Sequence, residues 1–538
     1  MEQEVFLAAT GWTLLPIFIT IASVFLTRRI LLSMFIGIVA SALMVANGNL
    51  FDAVLTIERT FVSIFFVRGE LQLFGVFSRW YLSIIIFLLG LGVVTSFVVI
   101  TGGARAFVDS IAKRVKTRRG VQLITVAVGI ILMIDDYFNA MVNGNIGKTL
   151  AQKHNLSRAR VAYNVDSIAA PICIVAPISS WAVAIMGNIT TVYEQIGFEG
   201  NVFIDFLSMI PYHFYVFAAI GLVLITIKFD FNMFTMKKYE KAMATGKDLS
   251  ADDDSAGLMG DVQSSKGSVL GFCFPIAAVV IVTIGTMALT GVQRASAEAI
   301  QEHGLVYAAL RNWSLSMSLL LGGLAGIVSS MYLGARHVKM GEITKEQYWR
   351  AVVAGLRSMS GAIAILTLSW IISSLIGTLQ TGQFFANMLQ GAGIAPYFVP
   401  FIMFVTAAIL AFSIGTSWGT FAIVLPIAGA AAYAIDINML FPAMSAVLSG
   451  AVFGDHASPI SDTTVLASAG SSCKVLSHFE SQLPYAVLAA GMASVGYLAF
   501  GFGRGNLLVG FIGFAIAIGA VYFAVSAKVK KEASANGA

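Results

Sequence analysis

Between Gly454 and Thr464 the chain reads Gly-Asp-His-Ala-Ser-Pro-Ile-Ser-Asp-Thr-Thr, gathering two carboxylates, an imidazole, a proline and four hydroxyls into eleven residues. Carboxylate and unwound-backbone carbonyl oxygens suit a hard cation such as sodium, and Asp455, His456 and Asp462 can each exchange a proton. An Asp-His pair would equally serve an enzyme as acid and base. Within the same stretch Ser458, Ser461 and Thr463 add hydroxyl ligands. Three other clusters carry similar groups: Asp135 and Asp136 with Asn139 and Asn143, Asp166 with Ser167, and Ser413, Thr416, Ser417 and Thr420 interleaved with Gly415 and Gly419. Apolar sequence surrounds each cluster, so the elements that hold polar groups in apolar surroundings decide what they do.

Composition names those surroundings. The 538 residues are 58% hydrophobic and only 11% charged, against about 25% charged for a soluble domain. This is an all-α polytopic membrane protein. The net charge of +5 lies in short loops, where it reports orientation and not a nucleic-acid partner. Cys173, Cys273 and Cys473 have no pairing or metal-ligand spacing. The start, Met1-Glu2-Gln3-Glu4, lacks the basic region of a signal peptide, so the first apolar run is expected as a retained helix.

Spans of roughly 20 apolar residues are expected at about Thr10–Leu26, Leu31–Ala46, Tyr81–Ile100, Leu207–Ile227, Val269–Leu289, Trp313–Leu333, Ser358–Ile376, Tyr485–Phe500 and Leu507–Val525. Phe61 to Phe77, broken by Arg68 and Glu70, reads as an interfacial or re-entrant segment. Val121 to Ile134 dips to the Asp135–Asn145 cluster and returns, and Phe398–Phe412 does the same at Ser413–Thr420. Two longer segments, Val161–Ile189 and Leu440–Ala469, are interrupted by Asp, Ser and Pro and read as broken helices. The count is about eleven spans plus two re-entrant helical hairpins. Basic residues recur at Arg28-Arg29, Arg105–Arg119, Arg336–Arg357, Lys474 and Lys528–Lys531. By the positive-inside rule these ends are cytoplasmic and the N-terminus is outside, in a cell inner (plasma) membrane. Gly377 to Tyr397 has no Lys or Arg and reads as an external loop.

The domain reading follows: residues 1–80 as N-terminal scaffold, 81–230 as a first repeat (hairpin 121–147, broken helix 161–189), and 231–268 as a flexible cytoplasmic linker. Residues 269–357 are further scaffold, 358–500 a second repeat (hairpin 398–433, broken helix 440–469), and 501–538 the last helix and tail. The repeats match at an offset of about 280 to 290 residues, with Asp166-Ser167…Pro171 set against Asp455-His456…Pro459. The hairpins enter from opposite sides, which makes the repeat inverted and points to a binding site near the bilayer midplane.

Asp166, Asp455 and Asp462 are the expected sodium ligands, because intramembrane carboxylates are costly and mark ion pathways. Asp135 and Asp136 diverge by about 100° on a helix, so one is expected to face the site and the other to cap a helix. Asn139 and Asn143 share a face, expected to point at the site. His456 either carries a proton or holds Asp455.

Ile134-Asp135-Asp136-Tyr137, Gly415-Thr416-Ser417-Trp418-Gly419-Thr420 and Gly454–Thr464 resemble the signature segments of the NhaC family of sodium/proton antiporters, over roughly Tyr81 to Phe500. That resemblance implies an ion-transporter-superfamily fold with paired hairpins and elevator-type motion, Na+ and H+ as coupling ions, no resident cofactor, and a homodimer by analogy. Members also carry organic acids and amino acids, so a small organic substrate is the alternative cargo. Besides small ions, membrane lipid is the expected partner. An intramembrane enzyme is the distant alternative, disfavoured because an enzyme needs no duplicated, oppositely entering hairpins.

Overall fold

Apolar runs become helices, and three of the four polar clusters fall where helices stop, the Asp166–Ser167 cluster being the exception. The computed structural model describes residues 6–27, 29–65, 80–112, 115–252 and 267–536. Among them the regular structure is helical, apart from an isolated bridge between Ala251 and Cys473. Among the described residues ten helices are long and apolar enough to cross a membrane, and two bent pairs, Ile30–Val45 with Leu50–Phe65 and Arg158–Val175 with Ser180–Ile196, bring the number to twelve if each pair is one span. Arg68 and Glu70 lie outside the described residues, so the segment read as interfacial is seen only in its first residues. Those belong to a helix, Leu50–Phe65, bent by 116° from its predecessor.

Helix Trp80–Ile100 packs against Val269–Arg294, Leu315–Lys339 and Lys345–Ser358. Glycines set these approaches. A Cβ on Gly90 would stand 2.5 Å from the Gly323 carbonyl oxygen, and one on Gly92 would stand 2.2 Å from that of Gly355. Small residues that let backbones touch are a membrane solution, where dispersion and not water exclusion drives packing.

The first hairpin has arms Arg118–Ile131 and Asp136–Lys153, and the second has arms Val399–Ile414 and Ser417–Ile435. The first broken helix comprises Arg158–Val175 and Ser180–Ile196, and the second Leu440–His456 and Asp462–Ser471. The first hairpin lies on Arg158–Val175 and on Asp462–Ser471. The second lies on Leu440–His456 and on Ser180–Ile196. Each hairpin thus touches one half of each broken helix.

Several boundaries differ from the sequence reading. The first break falls at Ala176–Ser179, around Pro177, and Pro171 stays inside its helix. There its missing N–H leaves the Ser167 carbonyl without its usual donor. Asp166 is therefore mid-helix, whereas Asp455 is next to the last residue before its break, and the two are not equivalent in position. The same tripeptide stands at both breaks, as Pro177-Ile178-Ser179 and Pro459-Ile460-Ser461. In both, the serine caps the second half-helix: Ser179 accepts from Ala182 N and Ser461 from Thr464 N. In both it also donates six residues back, to the Cys173 carbonyl at 2.7 Å and to Asp455 Oδ1 at 2.5 Å.

The span read as Leu207–Ile227 is split into Val202–Met209 and Phe214–Phe229 by a turn containing Pro211 and His213. Gly377–Tyr397 is not a loop: Thr381–Gly391 is a helix whose Thr381, Gly382, Ala386 and Leu389 are buried. The linker is not flexible over its described part. Phe234–Ala244 is a helix, Asp248 and Ser250 accept from Arg158 N and Ala159 N, and Ser250 O accepts from Lys474 N. Residues 253–266 lie outside the described residues.

Candidate ion-binding site at two helix breaks

The second break is built around Asp455. Unwinding after His456 frees backbone groups and turns Ser461 and Asp462 into the start of a new helix. Asp455 Oδ1 accepts from Ser461 Oγ, and Oδ2 accepts from Ser417 N at 3.2 Å and Ser417 Oγ at 2.7 Å. Ser417 is the first helical residue after the second hairpin's tip, so a helix N-terminus and its partial positive charge face the carboxylate. Gly415 makes that tip possible. Its φ is +77°, and a Cβ there would lie 2.7 Å from the Ile460 carbonyl oxygen. Its own carbonyl accepts from Asp462 N at 3.3 Å.

The first hairpin brings its tip to the same place. Asp135 caps the second arm by accepting from Phe138 N at 2.8 Å, and its other oxygen accepts from Ser180 Oγ at 2.9 Å. Tyr137 Oη donates to Asp462 Oδ2 at 2.5 Å, joining this hairpin to the second break. Between these two stands Asp136, buried, with no hydrogen-bond partner on either carboxylate oxygen. The charges of Asp135, Asp455 and Asp462 all act on it. The Trp181 indole is close enough to act on it too, yet stands outside hydrogen-bond geometry, and its Nε1 is itself unpartnered. A buried, unpaired carboxylate is one of the costliest groups a protein can hold.

Asp166 forms an adjoining centre. Its Oδ2 accepts from Gln482 Nε2 at 2.6 Å, contacts His478 Nε2 at 3.2 Å and meets Thr464 Oγ1 at 3.5 Å, while Oδ1 is buried without a partner. Gln482 Nε2 also donates to the His456 carbonyl at 3.0 Å. The His456 ring does not hold Asp455. Its Nδ1 pairs with Tyr215 Oη at 3.1 Å.

The structure therefore brings together Asp135, Asp136, Ser417, Asp455, Ser461 and Asp462. Thr463 joins them through its hydroxyl contact with Ser461, and Asp166 lies alongside. The Asn139 and Asn143 amide nitrogens donate to the Gly129 and Thr125 carbonyls across the hairpin and stitch its arms together, while Asn143 Oδ1 is buried without a partner. Ser413 and Thr420 bond back to Ile409 and Thr416 in their own helices, as hydroxyls in apolar helices do. Thr416 and Ser458 are buried with unpartnered hydroxyls, and Ser167 is buried beside Asp166.

No three His, Cys, Asp or Glu side chains among the described residues group closely enough to enclose a metal ion together. Asp166, Asp455 and Asp462 thus do not form one cage, and a cation here would draw its remaining ligands from hydroxyls and carbonyls. Tyr137, Ser180, Tyr215, His478 and Gln482 are contributors the sequence reading missed. His478, Ser481, Gln482 and Tyr485 share one buried face of Val475–Phe502. Their i, i+3, i+4, i+7 spacing is the available signal, but the helix starts at Val475, ten residues before the apolar run at Tyr485.

A sequence profile of the Na+/H+ antiporter family matches residues 172–502. An uncharacterized protein of Haemophilus influenzae is 34% identical over 96% of each chain. The Bacillus subtilis malate-2H(+)/Na(+)-lactate antiporter is 32% identical over 161 residues, which is 29% of this chain and 33% of that one. The crystal structure of the Alcanivorax borkumensis YdaH transporter shares the fold at a TM-score of 0.54, with 13% identity over 85% of this chain and 90% of that one. With a site of buried carboxylates at two helix breaks inside a multi-pass helical membrane protein, and with these matches, the chain belongs to the Na+/H+ antiporter family of secondary transporters.

Proposed function

We propose that this transporter exchanges Na+ for H+, with Asp136 as the carboxylate that binds them in turn. The observation that carries this reading is the pair of unpartnered, buried oxygens on Asp136, beside Asp462 and Asp455. Protonation or a bound sodium ion relieves the same electrostatic cost, so the two compete for one place. Asp462 shares the cation, and Asp455 acts as the anchor that fixes the second hairpin to the break. Asp166, with one free oxygen, is the adjoining proton or cation site. The Pro-Ile-Ser repeat and the reciprocal packing of the hairpins support an inverted repeat, and with it an elevator-type movement of the hairpin domain across the inner membrane. In this reading the Lys474 end is cytoplasmic and the N-terminus outside.

The test is a proteoliposome assay with an internal pH dye and no organic substrate. A sodium gradient is expected to drive proton movement in the wild type and not in Asp136→Asn. A fully active Asp136→Asn protein overturns the assignment.

A second reading keeps the site and adds a small organic acid or amino acid as cargo. It is favoured by the buried, unpartnered donors Trp181 Nε1, Trp418 Nε1 and Thr416 Oγ1, which a bare cation does not use. Sodium-stimulated uptake of a labelled organic acid distinguishes the two.

A further inference from the structure

Arg160 is the third residue of helix Arg158–Val175, and it is 0% exposed. A guanidinium is always charged, and this one stands at the positive end of the helix dipole. Its Nε donates to Gln122 Oε1 at 2.8 Å, and Nη1 donates to the Phe231 carbonyl and to Asn232 Oδ1 at 3.4 Å each. All three acceptors are neutral. Among the described residues Arg160 makes no ion pair, and its Nη2 is buried without a hydrogen-bond partner. Glu240 and Asp230 are engaged by Arg118, and Glu240 accepts from Ser157 as well. The Tyr163 ring lies 5.4 Å from the guanidinium carbon, but a ring face attracts a cation without neutralising it. A charge buried in this way is costly until an opposite charge joins it.

Gln122, on the hairpin arm Arg118–Ile131, is also 0% exposed. Its Oε1 accepts from Arg160 Nε and, at 3.5 Å, from Asn164 Nδ2, so turning the amide over would lose both bonds. That orientation leaves Gln122 Nε2, a second donor, buried and unpartnered. Nε and Nη2 are the two parallel donors of one guanidinium edge, so the free Nη2 points to the Gln122 side. We propose that Arg160 Nη2 and Gln122 Nε2 bind a chloride ion between the hairpin arm and the first broken helix. Burial and the donor set favour a monatomic anion. A carboxylate or phosphate would bring further acceptor oxygens into a place that offers two free donor groups. The ion supplies the missing charge and suits the helix N-terminus. Asn164 Oδ1, unpartnered too, is an acceptor, and a water beside the ion serves it. None of these residues belongs to the carboxylate site, so the proposal does not depend on which ions are exchanged there.

The experiment uses the full chain in neutral detergent at fixed sodium and ionic strength, with gluconate replaced stepwise by chloride. Retention of radiolabelled chloride and thermal unfolding are followed together. The wild type is expected to retain one chloride per chain, displaced by bromide and not by acetate, and to show a saturable rise in Tm. Arg160→Met should abolish both. Gln122→Glu sets a carboxylate on the same guanidinium edge, so it should abolish retention and give, in gluconate, a Tm at or above that of the wild type. Asp136→Asn should keep the full chloride response. A wild type with equal Tm in the two anions and no retained label, as water alone at Nη2 would give, overturns the proposal. So does displacement by acetate as readily as by bromide, a chloride response that survives in Gln122→Glu, or one that is lost in Asp136→Asn. If Arg160→Met fails to fold, Gln122→Glu decides.

Discussion

Asp136 and Asp455 are both buried carboxylates, yet their surroundings treat them oppositely. Asp455 accepts three hydrogen bonds, two of them from one residue at a helix N-terminus. Asp136 accepts none. The expected consequences differ accordingly. Asp136→Asn should abolish sodium-driven proton flux while leaving thermal stability in detergent unchanged or raised, because the charge it removes is uncompensated. Ser417→Ala should instead lower stability by about 1.5–3 kcal/mol, the usual worth of a hydrogen bond to a charged group. A thermal shift series on the two variants separates these roles, and a destabilised Asp136→Asn would contradict the account. The asymmetry could not be read from residue types. Sequence spacing showed that adjacent aspartates diverge; only the fold decided that Asp135 is the cap and Asp136 the free carboxylate.

The elements themselves depend on a few special positions. Gly415 turns the second hairpin in the left-handed region, where any side chain costs roughly 1–2 kcal/mol, and a Cβ would also press on the Ile460 carbonyl. Gly415→Ala should therefore lower stability and displace Ser417 from Asp455, which transport assays should register as a loss out of proportion to the change in Tm.

At the other end of the hairpin domain, Glu240 joins Arg118 and Ser157, and the strap from Lys247 to Asp252 ties Arg158 to Ser472 and Lys474. Glu240→Gln should leave the buried end of that network underpaired, cost about 1.5–3 kcal/mol and raise hydrogen exchange in Phe234–Ala244 first. Charge composition made this segment look like free linker. Its bonds to Arg158 and Ala159 reach back 90 and 91 positions, and the Ser250–Lys474 bond spans more than two hundred, which no local pattern reveals.

At the scale of the molecule, the family and the reciprocal packing of the hairpins bear on sidedness, and a labelling experiment tests it. In a Cys273→Ser background, with Cys173 and Cys473 buried, Lys474→Cys should react with an impermeant maleimide only from the cytoplasmic side. Glu199→Cys should react only from the other. Reaction of both from one side would remove the inverted arrangement and the elevator movement with it.

The sequence by itself determined the membrane class and the helical architecture, and it marked the two polar-interrupted segments in which a helix breaks. These rest on hydropathy over some twenty residues and on the cost of polar groups in hydrocarbon, which are local and read along the chain. Tertiary structure alone decided where the first helix breaks, that the Asn139 and Asn143 amides donate across the hairpin, and that His478 and Gln482 reach Asp166. Those outcomes turn on which distant donor meets which buried acceptor, and a proline or an amide bears no mark of its partner until the helices are packed.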